Sequence, residues 1–259
     1  MQIHQIYTHN QLRNFTYMIE LADASCLVLD PWDENQVNDA LNEHKLSLTA
    51  IINTHEHWDH TQGNEALVKQ HGCEVWAHEN GKGKIPGLTR TLSAHELIEL
   101  DDGTQLKVLD TPGHTFAHLC FVVLEAGVEK AVFTGDTLFN AGVGNCHNGG
   151  DPGVMYETIT QQFYSLSDDV VVYPGHDYLE NNLQFTLNLE PSNGEAQQWL
   201  EKVRLVDPAV NPLNTSIGDE RKFNTFFRLE NAEILKSLSL GAGNDKQVFL
   251  ALRERRNSW

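Results

Sequence analysis

Residues 50–60 of the chain read AIINTHEHWDH. The apolar residues 50–52 predict a buried strand, and three histidines and an aspartate follow it closely. Because positions 55, 57 and 59 share parity, an extended or gently turning loop can direct His55, His57 and Asp59 into one space. Imidazole nitrogen and carboxylate oxygen are the donors that zinc, iron and manganese accept. The stretch therefore predicts a metal site, with a histidine-rich surface loop as the plain alternative.

Three further residues of ligand type each follow a predicted strand. His114 stands behind a Pro-Gly turn, Asp136 follows an apolar run that ends in glycine, and His176 again follows Pro-Gly. Alone, each would more often be a turn residue or a loop histidine with an ordinary hydrogen-bond partner. Together with residues 55–60, they favour one shared metal site.

The composition limits the choice of function. The chain has 259 residues, of which 40% are hydrophobic, enough for one large domain or for a catalytic domain with a smaller appendage. Its 18 basic and 36 acidic residues give a formal charge of -18, which disfavours a surface that follows nucleic-acid phosphates. We therefore expect a small-molecule partner and no nucleic acid, and a monomer or a small homo-oligomer.

Neither an export signal nor a membrane span is visible in the sequence. The first residues lack a basic segment followed by an apolar run, and no stretch reaches about 18 consecutive apolar residues. The four cysteines lie far apart without a C-x-x-C pair, which is typical of free thiols in a reducing compartment. We expect a cytoplasmic protein that does not bind membranes.

The sequence pattern of the chain changes near residue 177. Before it, short β-type runs alternate with helical patterns and many Gly or Pro stops, whereas amphipathic helical stretches follow it. This change predicts two domains, residues 1–177 and residues 178–259, of which the second is helical. Within the first domain, helices are predicted at residues 34–44, 64–70 and 154–164.

The succession of motifs is specific. T-H-x-H-x-D-H, P-G-H-T, G-D-T-L-F and P-G-H follow one another between residues 54 and 178, and this order resembles the metallo-β-lactamase superfamily. The resemblance implies an α/β fold: an αβ/βα sandwich of two facing sheets with helices outside, followed here by a helical C-terminal subdomain that binds substrate. It also implies two divalent metal ions, zinc in the first place, with iron and manganese as alternatives. The implied ligands are His55, His57 and His114 for one ion, Asp59, His60 and His176 for the other, and Asp136 as a bridge.

The same resemblance implies how such a centre works. Two metal ions lower the pKa of a shared water toward neutrality and polarise the attacked carbonyl, so that no serine or cysteine nucleophile is required. Asp59 and Asp136 are the catalytic residues in this scheme. Asp30, at the end of a predicted strand, would hydrogen-bond to a ligand histidine and orient it, unless it only forms an Asp-Pro turn.

The residues after Asp136 indicate one branch of the superfamily. Residues 135–145, GDTLFNAGVGN, resemble the glyoxalase II stretch G-D-T-L-F-x-A-G-x-G-[KR], with Asn145 where that family carries a cation that helps to hold glutathione. Tyr178 matches the tyrosine of G-H-[ED]-Y, which contacts the thiol-bearing ligand, and Arg228 would face a ligand carboxylate, unless it is only a surface charge on a helix. The substrate-binding residues predicted in this way are Asn145, His147, Tyr178 and Arg228.

We predict a metal-dependent hydrolase that cleaves a thioester, a 2-hydroxyacyl-glutathione such as S-lactoylglutathione, by attack of a metal-bridging hydroxide. Three alternatives stay open: a persulfide dioxygenase, another ester or lactone hydrolase of the same fold, and a non-catalytic, metal-stabilised binding module. The dioxygenases resemble a shorter chain without the helical tail. A binding module would typically lack one of the ligands named above, and none is missing here.

Overall fold

The computed structural model describes residues 1–101 and 103–259. A first sheet contains six strands in the order of the sequence: β1 (Gln2–Tyr7), β2 (Phe15–Glu20), β3 (Ser25–Leu29), β4 (Ser47–Ile52), β5 (Glu74–His78) and β6 (Arg90–Leu92). The first three strands are antiparallel, and the strands from β3 to β6 run parallel. The helices in this half are α1 (Glu34–His44), α2 (Trp58–Thr61) and α3 (Asn64–His71). The helices expected at residues 34–44 and 64–70 are thus confirmed.

The second half of the sandwich is a mainly antiparallel sheet. The remaining strands are β7 (Leu97–Asp101), β8 (Thr104–Asp110), β9 (Leu119–Glu125), β10 (Val128–Gly135), β11 (Leu138–Phe139), β12 (Gly142–Val143) and β13 (Val171–Pro174). β11 and β12 pair as a hairpin, and the other five form a sheet in the order β13-β10-β9-β8-β7. In this sheet β13 lies parallel to β10. α4 (Pro152–Thr158) follows the hairpin and continues as a π-helical turn to Phe163.

The alternation of apolar residues along the strands builds the layers of the fold. Phe121 of β9 packs between the two sheets with Ile52 of β4. Its neighbour Val122 faces the opposite side and packs against Met155 of α4. α1 and α3 cover the outer face of the first sheet with a third apolar cluster. The arrangement is helix, sheet, sheet, helix, which confirms the predicted αβ/βα sandwich.

The chain after β13 is helical, as predicted. Its helices are α5 (Leu179–Leu189), α6 (Gly194–Val203), α7 (Ile217–Phe223), α8 (Ala232–Ser237) and α9 (Asp245–Asn257). α9 joins the outer cluster of the second sheet through Phe249 and Leu252, so these helices pack directly on the sandwich. The four cysteines are free thiols. Within the described ranges, every helix is too short or too polar to cross a membrane.

Candidate metal centre

The ends of several strands deliver the predicted ligands to one place. His55 follows β4, His114 follows β8, Asp136 follows β10 directly, and His176 follows β13. The glycine before Asp136 has a φ of 45°, in the left-handed region, which turns the chain sharply out of β10. The polar side chains therefore leave the sheets where the strands end, and they converge in two clusters.

The first cluster consists of three imidazoles. His57 Nδ1 lies 3.1 Å from His55 Nε2 and 3.0 Å from His114 Nε2. These donor atoms all lie within 4.8 Å of one another. Three imidazole nitrogens at this spacing can hold one divalent ion and leave further positions open to other ligands.

The second cluster combines a carboxylate with two imidazoles. His60 Nε2 lies 3.3 Å from His176 Nε2, and Asp59 Oδ2 lies 3.4 Å and 3.5 Å from these two atoms. The three side chains are buried. A mixed imidazole and carboxylate set of this kind accepts zinc, iron or manganese.

Asp136 lies between the clusters. Its Oδ2 is 3.4 Å from His114 Nε2, whereas its Oδ1 is 3.3 Å from His60 Nε2 and 3.2 Å from His176 Nε2. Oδ1 is buried, and among the described residues it accepts no hydrogen bond. A buried carboxylate oxygen without a donor is costly unless a cation compensates it. The donor set and this oxygen therefore fit a pair of metal ions.

Asp30 orients a ligand in each cluster. Its Oδ2 accepts a hydrogen bond from His60 Nδ1 at 2.9 Å, which leaves His60 Nε2 free to face the second cluster. The same oxygen accepts the hydroxyl of Thr54 at 2.6 Å. Because this hydroxyl donates its hydrogen bond to Asp30, its oxygen accepts a hydrogen bond from His55 Nδ1 at 3.0 Å. The other nitrogen of the ring, His55 Nε2, is then free to face the first cluster.

Backbone carbonyls fix the orientation of the other imidazoles. His114 Nδ1 lies 2.6 Å from the carbonyl oxygen of Asn145, and His176 Nδ1 lies 2.8 Å from that of Leu12. His57 Nε2 lies 3.2 Å from the carbonyl oxygen of residue 148. Each ring therefore donates from one nitrogen and presents the unprotonated nitrogen to the clusters.

The electrostatics of the clusters favour cations. Burial lowers the pKa of His55 well below its ordinary value and that of His114 to about 4, so both rings are neutral at pH 7. Burial acts in the same direction on His60, but the carboxylates of Asp136 and Asp30 outweigh it and raise the pKa of His60 well above its ordinary value. The negative potential that raises this pKa equally favours a divalent cation.

A cavity of about 270 Å³ lies next to the second cluster. Its lining residues include Phe139, Asn145, His147, Tyr178, Arg253 and Arg256. The ring of Tyr178 stacks on the ligand-type imidazole of His176, with centroids 4.9 Å apart and an angle of 3°. The cavity thus places a phenol and two guanidinium groups beside the clusters. It has the size and polarity of a site for part of an anionic ligand.

Comparison with known proteins identifies the family of the chain. Residues 10–176 match the family model of the metallo-beta-lactamase superfamily, and residues 177–259 match that of the hydroxyacylglutathione hydrolase C-terminus. A hydroxyacylglutathione hydrolase from Nitrosococcus oceani is 44% identical, with 100% of both chains covered. The chain belongs to the hydroxyacylglutathione hydrolase family. The resemblance inferred from the motifs is confirmed.

Two further comparisons show how far the likeness extends. The cytoplasmic hydroxyacylglutathione hydrolase of Arabidopsis thaliana is 31% identical, covering 95% of each chain. Among solved structures, ETHE1 from Myxococcus xanthus matches with a TM-score of 0.67 at 23% identity, covering 100% of this chain and 99% of that chain. The second likeness shows the shared fold.

In this hydroxyacylglutathione hydrolase family member, the predicted residue Arg228 and the ligands' neighbour Glu56 lie apart from the clusters. Arg228 does not reach the cavity beside Tyr178, because its guanidinium pairs with the buried carboxylate of Glu190, with Nε 3.0 Å from Oε2. A counter-charge stabilises the buried carboxylate of Glu190, and this ion pair holds Arg228 in place. Glu56, between His55 and His57 in the sequence, points away from both imidazoles and accepts hydrogen bonds from Lys84 and Thr115.

Two buried residues beside the clusters were not predicted from the sequence. Asn14 donates from Nδ2 to Asp59 Oδ2 at 2.9 Å. His118 accepts the backbone N–H of Asp136 on Nε2 at 3.1 Å. Neither belongs to the motifs considered above. The only sequence signal for His118 is that it is a second histidine four positions after His114.

Proposed function

We propose that this protein hydrolyses the thioester of a 2-hydroxyacyl-glutathione, such as S-lactoylglutathione, at a centre of two divalent metal ions. Membership in the hydroxyacylglutathione hydrolase family supports the substrate class. The position of Asp136 between two clusters of donor atoms carries the dinuclear assignment. No second function is favoured by an observation of comparable weight.

The proposed ligands divide between the two ions. His55, His57 and His114 would hold the first ion, Asp59, His60 and His176 the second, and Asp136 would contact both. Zinc is our first choice, with iron and manganese as alternatives, since this donor set accepts all three. When bound, such a pair of ions activates a water molecule for attack and polarises the thioester carbonyl.

The protein's own side chains would bind the thiol moiety. Tyr178, which stacks on His176, would contact the part of the substrate nearest the thioester. Asn145 and His147 line the same cavity, but neither supplies a permanent positive charge there. Arg256 supplies that charge from α9, and glutathione carries carboxylates that a guanidinium binds well. We therefore assign the ligand-facing cation to Arg256 rather than to Arg228.

Arg253 has a different part in the same cavity. Its guanidinium is buried and donates to the backbone carbonyls of Val143 and Gly144 at 2.8 and 3.0 Å. It thereby fixes the loop before Asn145, whose carbonyl orients His114. In this proposal residues 1–177 form the catalytic domain, and residues 178–259 form a subdomain that supplies substrate contacts.

The proposal extends to the compartment, the partner and the oligomeric state of the protein. We propose a cytoplasmic enzyme, since its thiols are free and the Arabidopsis relative is named cytoplasmic. The formal charge of -18 makes a small-molecule substrate a better partner than nucleic acid. A monomer or a small homo-oligomer is consistent with a site whose proposed residues come from one chain.

Steady-state kinetics combined with metal analysis test the proposed function. We expect saturable hydrolysis of S-lactoylglutathione by protein that carries close to two divalent ions per chain. S-lactoyl-N-acetylcysteamine, which has the same thioester without the glutathione peptide, serves as the matched substrate and should show a much higher KM. Oxygen consumption with glutathione persulfide, together with a single bound iron, would instead identify a dioxygenase. Equal turnover of both thioesters would remove the glutathione assignment.

A further inference from the structure

His118 is a buried imidazole that belongs to neither cluster of donor atoms. Its side chain is fully buried and lies behind the first cluster, where its ring stacks on that of His55 with centroids 5.0 Å apart and an angle of 21°. It is also close to two threonine hydroxyls, those of Thr111 and Thr137. A buried histidine in contact with ligand-type residues requires an explanation other than packing.

The hydrogen bonds of His118 define its protonation. The backbone N–H of Asp136 points at Nε2 over 3.1 Å, and a backbone N–H can only donate, so Nε2 is the unprotonated nitrogen. Nδ1 then carries the proton and donates to the hydroxyl of Thr111 at 2.9 Å. The lone pair of Nε2 is therefore occupied by the peptide of Asp136. His118 cannot act as a metal ligand through this atom while that bond persists.

The peptide that His118 holds is the one that places Asp136. Gly135 turns the chain out of β10 with its positive φ, and a Cβ built there would lie 2.8 Å from His118 Nε2. Glycine thus permits the close approach of imidazole and peptide. Since both carboxylate oxygens of Asp136 lie 3.2 to 3.4 Å from imidazole nitrogens, a small movement of this peptide would disturb both clusters together.

We infer that His118 is a positioning residue for the bridging carboxylate. By accepting the N–H of Asp136 and stacking on His55, it fixes the carboxylate between the clusters and so determines the affinity for both metal ions. The inference rests on the proposed assignment of Asp136 as the bridge. It distinguishes His118 from Asn14, whose hydrogen bond reaches only Asp59 and hence only the second cluster.

Metal titrations of two His118 variants test this role. His118→Leu keeps the approximate volume but removes the acceptor, whereas His118→Gln places an amide oxygen near the position of Nε2. Apoprotein is titrated with Zn²⁺ against a chelator, and with Co²⁺ while its visible spectrum is recorded. We expect His118→Leu to weaken both binding steps about 10- to 100-fold and to alter both Co²⁺ bands, and His118→Gln to recover most of each loss.

Matched variants separate positioning from a general loss of stability. Asn14→Ala should weaken metal binding only at the second cluster, to which Asp59 belongs. Thr186→Val removes one buried hydrogen bond from α5 to the carbonyl of Phe223, which involves none of the proposed ligands, and should change binding at neither cluster. The inference is overturned if His118→Leu binds both ions as the wild type does, or loses only one. If the wild type itself binds fewer than two ions, the proposed dinuclear centre fails instead.

Discussion

The carboxylates of Asp59 and Asp136 differ in what they contact. Asp59 faces His60 and His176 of the second cluster and is held by Asn14. Asp136 faces those two imidazoles with one oxygen and His114 of the first cluster with the other. Two residues of the same chemistry therefore have different consequences when they are removed.

We expect Asp59→Ala to empty the second site and Asp136→Ala to weaken both. Dialysed Asp59→Ala protein should keep one ion on the three imidazoles of the first cluster, because none of these imidazoles contacts Asp59. Asp136→Ala protein should bind less than one ion per chain. Metal content is measured by elemental analysis of the dialysed proteins. Glu56→Gln is the matched control, since Glu56 lies between two ligand positions yet faces Lys84, and it should keep both ions. Two ions in Asp59→Ala would refute this division of ligands.

The structure brings together the seven residues that the sequence predicted as ligands, because each of them stands in a recognisable run after a strand end. His118 and Asn14 were missed for a physical reason, since their partners are Asp136 and Asp59, which lie 18 and 45 positions away in the chain. The pairing of Arg228 was not foreseen for the same reason. Its partner Glu190 is 38 positions away, and an ion pair at that separation leaves no local pattern.

Helix α9 presents its arginines to different surroundings. Arg256 lines the cavity beside Tyr178 and donates to Asn182 Oδ1 at 3.0 Å. The adjacent Arg255 is exposed and donates to the carbonyl of Ser237 and to Asn188 instead. The helical periodicity thus directs one cation to the proposed substrate and its neighbour away from it.

Arg256→Ala should raise KM for S-lactoylglutathione with little change in kcat. A charge-assisted hydrogen bond to a ligand carboxylate is worth about 1.5 to 3 kcal/mol, which corresponds to roughly a 10- to 100-fold increase in KM. Arg255→Ala is the same change one position earlier, and its KM should stay within about twofold of the wild-type value. Initial rates over a range of substrate concentrations give KM and kcat for both variants and the wild type. Equal effects of the two variants would show that Arg256 contributes only to the stability of α9.

The strands show the same limit on prediction. β4 and β10 were expected from the apolar runs that precede Asn53 and Asp136, and each has a neighbouring strand on both sides. β1 and β5 were not recognised. β1 is an edge strand of the first sheet with half-buried side chains, and β5 is a short strand that alternates exposed and buried positions. Their pairing depends on neighbours distant in sequence rather than on a local pattern.

The C-terminal helices are joined to the catalytic half through a buried carboxylate. Glu220 of α7 is fully buried and accepts hydrogen bonds from the backbone N–H of Ala141, from Thr215 and from Asn224. Ala141 lies in the hairpin that follows Asp136 and has a φ of 62°. The carboxylate therefore stabilises a strained turn close to the proposed metal centre from the other half of the molecule.

This carboxylate predicts a pH dependence of stability. Burial raises the pKa of Glu220 from 4.5 to about 7, against its hydrogen-bond donors and with a smaller contribution from the nearby charge of Asp219. Between these values the folded protein holds a proton that the unfolded chain has released, so the free energy of unfolding falls as the pH rises through this window. Below pH 4.5 and above about pH 7, the contribution of Glu220 to the free energy of unfolding no longer changes with pH. At about 1.4 kcal/mol per pKa unit, the total change is roughly 3 kcal/mol.

Urea unfolding of the wild type and Glu220→Gln between pH 5 and 8 measures this effect, because the amide cannot titrate. The difference in free energy of unfolding between the two proteins should change with pH by an amount approaching that total, with the wild type losing relative stability toward pH 8. Comparison of the two proteins cancels the titration of the histidines, which both contain. Glu195→Gln, an exposed position on α6, is the control and should follow the wild type at every pH. If the difference between wild type and Glu220→Gln is constant over this range, Glu220 is ionised throughout, and its hydrogen bonds outweigh the cost of burial.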